Sequence, residues 1–225
     1  MLPRSRLIVL AGALTLVALV GAAPASARII EVGSSSPEAT PTCPSSPCLA
    51  VSRTTGYQAK VVDSRSVYIV PADGRIVAWT ISLGNPNQRQ IDFFDSNYGE
   101  ASAGITVLRR GKRLFHRVMG QSGVQKIEPY FGEKVQFPLE SSIPVKKGYV
   151  VALTVPTWAP ALTQLLDNGS SWRASRAKGK CDDTDAQTAQ TRLRQRTQYR
   201  CLYRAQLTYS ATVITSPKPN KKPKN

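Results

Sequence analysis

The sequence predicts an all-β protein, an antiparallel two-sheet β-sandwich that is jelly-roll-like and has at most one short helix. Short apolar runs rich in β-branched and aromatic residues recur from about residue 57 to residue 213, separated by clusters of Gly, Pro, Asn and Asp. No long stretch repeats its apolar residues with the 3.6-residue period of an amphipathic helix. Near the end the pattern alternates: Tyr199, Cys201, Tyr203, Leu207 and Tyr209 share one face, while Arg200, Arg204, Gln206, Thr208 and Ser210 mostly share the other. That is a strand with one wetted side. Many short strands with little helix favour two packed sheets over a closed barrel.

In chain order, residues 1–27 read as a secretory signal peptide, with Arg4 and Arg6, an apolar run from Leu7 to Val20, and the small-x-small site Ala25-Ser26-Ala27. The run is shorter than the roughly 20 residues a spanning helix needs, so no transmembrane segment is expected in the mature chain. The protein is read as secreted, either extracellular or held at the cell surface. Residues 28–48 form a flexible Ser- and Pro-rich segment ending in a small disulfide loop, 49–215 the β-sandwich domain, and 216–225 a disordered basic tail.

Strands are expected near 57–63, 66–71, 75–83, 103–109, 113–119, 124–128, 133–139, 148–155, 171–176 and 199–213. The last would extend about 50 Å, so a bulge or bend is expected near Arg204-Ala205. Tyr68 to Trp79 reads as a hairpin turning at Asp73-Gly74, and Lys146-Lys147-Gly148 as a second turn leading into the strand that follows. Trp79 lies inside an apolar strand and belongs to the core. Asp182 to Arg194 is the best helix candidate, with Asp183 or Thr184 as its cap, although its apolar content suits a loop equally well.

The phrase Val135-Gln-Phe-Pro-Leu139, followed by Ile143-Pro-Val-Lys-Lys-Gly148 and an apolar strand, resembles a phrase of extracellular jelly-roll domains. The resemblance implies a strand, a short crossing, a turn and a buried strand. The chain also resembles an uncharacterised group of exported bacterial proteins, which brings no assigned activity. Neither resemblance transfers a catalytic or binding residue.

The formal net charge is +16, and loss of Arg4 and Arg6 with the leader leaves +14. Export redirects such a charge from nucleic acid, which is not expected as a physiological partner, toward anionic wall polymers, acidic glycans or lipid headgroups. A purely solubilising role is the plainer alternative. The four cysteines lie in the exported part, where disulfides persist. Of the three formal pairings, Cys43 with Cys48 and Cys181 with Cys201 is favoured because each pair brackets a short segment. A zinc site is disfavoured by the spacing, and no cofactor is implied.

His116 is the single histidine and reads as a strand residue with a partly buried ring. Asp92 and Asp95 flank Phe93-Phe94 and are the carboxylates a glycosidase could use, but an extended chain would point them to opposite faces. A polar loop around two buried phenylalanines is the expected arrangement there. Asp182, Asp183 and Asp185 form an acidic loop without a calcium-binding pattern. The candidate ligand-binding residues are the loop aromatics Tyr98, Trp158 and Trp172, as an exposed platform, with Arg109, Arg110, Arg113, Arg173 and Arg176. Further arginines gather at 192, 194, 196, 200 and 204, and four lysines in the tail. The reading is a non-enzymatic secreted domain binding an anionic or carbohydrate component of the cell envelope. A wall-polymer hydrolase and a structural or protein-docking domain are the alternatives.

Overall fold

The computed structural model describes residues 26–34, 38–163, 169–176, 179–182 and 189–217. Its strands are β1 (Ile29–Val32), β2 (Val51–Lys60), β3 (Gly74–Ser82), β4 (Ser102–Arg110), β5 (Phe115–Gln121), β6 (Gln125–Lys126), β7 (Lys134–Val145) and β8 (Val150–Ala159). These are followed by β9 (Leu162–Thr163), β10 (Ser171–Ala174), β11 (Arg196–Gln198), β12 (Cys201–Tyr203), β13 (Gln206–Leu207) and β14 (Tyr209–Thr215). One α-helix, α1 (Gln88–Tyr98), is present among the described residues.

The strands form one sheet in the order β1-β14-β3-β7 and a second in the order β11-β5-β4-β8-β2-β10-β12, with β6 also paired to β4 and β9 and β13 forming a separate two-stranded ribbon. Every pairing is antiparallel, and eight strands pair as β1 with β14, β2 with β8, β3 with β7 and β4 with β5. That nested pairing is a long hairpin rolled into two sheets, the jelly roll. The core lies between the sheets around Trp79, Ile81, Val107, Leu153, Trp158, Leu207 and Val213. Trp79 packs on Phe137 at 4.9 Å, as expected of a core residue.

Several local expectations are corrected. Residues 28–48 are not only a lead-in, because Ile29–Val32 pair with Ala211–Ile214 as the first strand of the roll. The Tyr68–Trp79 hairpin does not form. Tyr68 and Val70 bond instead to Tyr149 and Val151 beside β8, and the chain crosses at Asp73 to the other sheet. Gly74 is needed for close approach rather than for a turn, since a Cβ there would lie 2.3 Å from the Ile214 carbonyl oxygen. The expected turn at Lys146–Gly148 is present, closed by the Tyr149 N–H to the Lys146 carbonyl at 3.0 Å; it connects the two sheets, and its Lys147 N–H donates to the Asp73 carboxylate at 2.8 Å. The expected break at Arg204-Ala205 is present, dividing the long segment into β12, β13 and β14.

Both disulfides pair as expected, Cys43 with Cys48 and Cys181 with Cys201. The expected helix over 182–194 falls partly outside the described residues, and from 189 to 194 the chain is not helical. Of the expected signal peptide (1–27) and basic tail (216–225), residues 1–25 and 218–225 also lie outside them. Among the described residues no helix is long and apolar enough to cross a membrane.

Candidate functional site

The fold joins two arginine clusters that lie some eighty residues apart in sequence. β4 and β5 form a hairpin whose tip carries Arg110, Gly111, Lys112 and Arg113, and β11 adds to the free edge of β5. The register sets Arg109 opposite Arg117 and Arg117 opposite Arg196, a row of three arginines across three adjacent strands. Residues directly opposite in a ladder project to the same side, so the row presents three guanidinium groups together. All three are exposed, as are Arg110 and Arg113.

Beside this row, the turn at 192–195 is fixed to β5 through Arg194 N–H to the Val118 carbonyl at 2.9 Å and Val118 N–H to the Gln195 carbonyl at 2.9 Å. It adds the exposed Arg192 and Arg194. The Arg196 guanidinium stacks over the Phe115 ring at 4.6 Å, which fixes its direction. No acidic residue occurs in the sequence from 101 to 127 or from 186 onward. Among the described residues, no carboxylate forms an ion pair with Arg109, Arg110, Arg113, Arg117 or Arg196.

On the opposite face of these strands Arg110, His116 and Thr197 form the next row. His116 is 4% exposed and sits between Tyr57 and Tyr199, with ring centroids 5.1 and 5.0 Å away. Burial, followed by the charges of Arg110 and Arg173, holds its pKa below the usual 6.5. The ring is therefore neutral in the folded protein, while the unfolded chain takes up a proton as pH falls through 6.5. Stability is fully present above that value and declines below it. Thermal unfolding is expected to shift to lower temperature between about pH 7 and pH 5, and His116→Phe to remove that shift, since no second histidine contributes. No hydroxyl or carboxylate side chain is hydrogen-bonded to the imidazole among the described residues, so a catalytic triad has no assembled form here.

The aromatic platform is not assembled. Trp158 is fully buried on β8, stacked on Phe94 at 4.6 Å, because β8 runs through Pro156 instead of breaking there. A bulge in β8, where Pro156 and Thr157 together face Arg53 of β2, accommodates that proline, which has no N–H to pair. Trp172 is 5% exposed and packs on Tyr203 at 4.8 Å. Tyr98 is half-buried at the end of α1, with the Arg53 guanidinium 5.2 Å from its ring. Arg173 is half-buried and donates to the Arg200 carbonyl at 3.1 Å, whereas Arg176 is buried at 6% exposure.

The segment of Asp92 and Asp95 is α1, not a loop. Asn87 caps it by accepting from the Gln90 backbone N–H at 3.1 Å, and the Gln90 side chain accepts from the Asn87 N–H at 2.9 Å. The helix sets the two acids three residues apart on one side instead of on opposite faces. Asp95 accepts from the Trp158 indole N–H at 2.7 Å, and burial, followed by the nearby charge of Asp95, raises the pKa of Glu128. Phe93 is 60% exposed rather than buried. Of the acidic loop, Asp183 and Asp185 lie outside the described residues.

Acids and arginines thus sit at opposite ends of β4. Ser102 adjoins the Asp95, Glu100 and Glu128 group, and Arg109 lies roughly 23 Å further along the strand, at about 3.3 Å per residue. The fold and this site define a jelly-roll domain with a basic sheet edge. Comparison with known protein families, curated proteins and solved structures yields no match.

Proposed function

We propose that the protein is an exported, non-enzymatic jelly-roll domain that binds an anionic polymer of the cell envelope through the arginine edge formed by β4, β5, β11 and the 192–195 turn. The row Arg109, Arg117 and Arg196 carries this reading. Like charges directly opposite each other in a sheet cost stability, and a polyanion laid across the row offsets that cost. Guanidinium forks match the oxygens of phosphate and carboxylate groups. The leader and the two disulfides support an oxidising, extracytoplasmic setting, in which wall polymers and acidic glycans replace nucleic acid as the available polyanions. With Trp158 and Trp172 buried, selectivity rests on the spacing of the arginines, not on stacking with sugar rings.

The test is cosedimentation of the mature protein with isolated cell walls at low and moderate salt, with and without residues 218–225. Binding is expected to survive removal of the four tail lysines and to fall steeply with salt. Binding that disappears with the tail, or that ignores salt, overturns the proposal.

A further inference from the structure

We infer that the pocket between the start of β2, β10 and the bend joining β12 to β13 binds a small amphiphilic carboxylate. It lies at the sheet edge opposite the arginine row and is independent of polymer binding. The cavity of about 320 Å³ is lined by Val51, Ser52, Leu162, Trp172, Arg176 and Ala205, among others. That volume is at the small end for ligand pockets.

The central feature is a buried cation without a counter-ion among the described residues. Arg176 is 6% exposed, and its guanidinium donates to the Cys181 carbonyl at 3.0 Å, the Tyr203 hydroxyl at 2.9 Å and the Ser52 carbonyl at 3.3 Å. All three acceptors are neutral, and Arg176 Nε has no acceptor. The neighbouring Trp172 is 5% exposed, and its indole N–H also has no acceptor. Buried donors are ordinarily satisfied, and buried charges are ordinarily paired. Both of these nitrogens lie beneath the surface of the wall, so what the cavity meets is the uncompensated positive charge of Arg176, the complement of a carboxylate. Val51, Leu162, Ala205 and the indole make the remaining walls apolar, which suits a compact hydrophobic body behind that head group.

Benzoate and its neutral counterpart benzyl alcohol are the probes, titrated into the mature protein by calorimetry. Benzoate is expected to bind with one-to-one stoichiometry, and benzyl alcohol at least about tenfold more weakly. Arg176→Met removes the charge. Ala50→Leu fills the pocket from a half-buried lining position and leaves the Arg176 charge in place, so it decides the matter if the arginine variant does not fold. Both variants are expected to lose at least about tenfold in benzoate affinity, and Ala50→Leu to keep wall binding unchanged. No heat of benzoate binding up to about 10 mM, equal affinity for benzyl alcohol, or benzoate affinity unchanged in Ala50→Leu overturns the inference.

Discussion

Replacing Arg109, Arg117 and Arg196 together with glutamine is expected to weaken binding to an anionic wall polymer about 100-fold at low salt while leaving the folded protein at least as stable as wild type. Each charge-assisted contact to a solvent-accessible anionic group contributes about 1 kcal/mol, so three account for about 3 kcal/mol, or two orders of magnitude. The stability change has the opposite sign. The register opposes Arg109 to Arg117 and Arg117 to Arg196, and removing two like-charge pairs relieves a few tenths of a kcal/mol in each. Loss of the Arg196 contact with Phe115 returns part of that gain. The net expectation is a rise of up to about 3 °C in the unfolding midpoint. A purely structural role for these arginines predicts a lower midpoint and unchanged polymer binding.

The second large effect is expected at the Cys181–Cys201 disulfide. Its partners are separated by 20 residues, and opening a loop of that length costs about 3 kcal/mol in the chain-entropy account. From residue 189 onward, the segment it tethers lies against the outer face of the large sheet. There the Gln190 N–H donates to the Thr55 hydroxyl at 2.8 Å, and Thr55, Thr154 and Thr106 form a buried hydroxyl row. The same segment delivers Arg194 and Arg196 to the edge of β5. Replacing both cysteines with serine should therefore lower stability by about 3 kcal/mol in chemical denaturation and also weaken polymer binding by about tenfold. Replacing Cys43 and Cys48 should leave polymer binding unchanged, because that loop adjoins α1, away from β5. Equal binding losses in the two double variants contradict this account.

The sandwich was legible because its strands announce themselves through period-two alternation and β-branched runs, and the broken last strand because no ordinary strand reaches its full length. The Tyr68–Trp79 hairpin was misread for a physical reason. Asp73-Gly74 and Lys146–Gly148 have turn chemistry, but turn chemistry does not say whether the next strand pairs with the last one or crosses to the facing sheet. β1 was hidden by its short length and polar surroundings, and only its pairing with β14 orders it. The helix did leave a signal. Asn87 and Gln90 form a capping box, and Ile91, Phe94 and Tyr98 follow at helical spacing on the side that packs against the core.

At the site, the sequence supplied the arginines but not their meeting. β11 is three residues long with no apolar run, so its pairing with β5 is a tertiary outcome that local patterning does not encode. The prolines beside Trp158 suggested a loop, yet a bulge at Pro156-Thr157 keeps the segment paired with β2 and the indole enters the core. Trp172 and Arg176, singled out as exposed contacts, turn out to be two walls of one pocket.

The central claim is that the folded arginine edge, and not the lysine tail, holds the polymer. The most direct measurement is the salt dependence of binding to a poly(glycerol phosphate) chain by two mature proteins that both end at Pro217, one wild type and one carrying the three glutamine substitutions. Each neutralised phosphate contributes roughly 0.7–0.9 to the slope of log affinity against log salt, so the account predicts a slope shallower by about 2 in the variant. Equal slopes and equal affinities for the two proteins would contradict it.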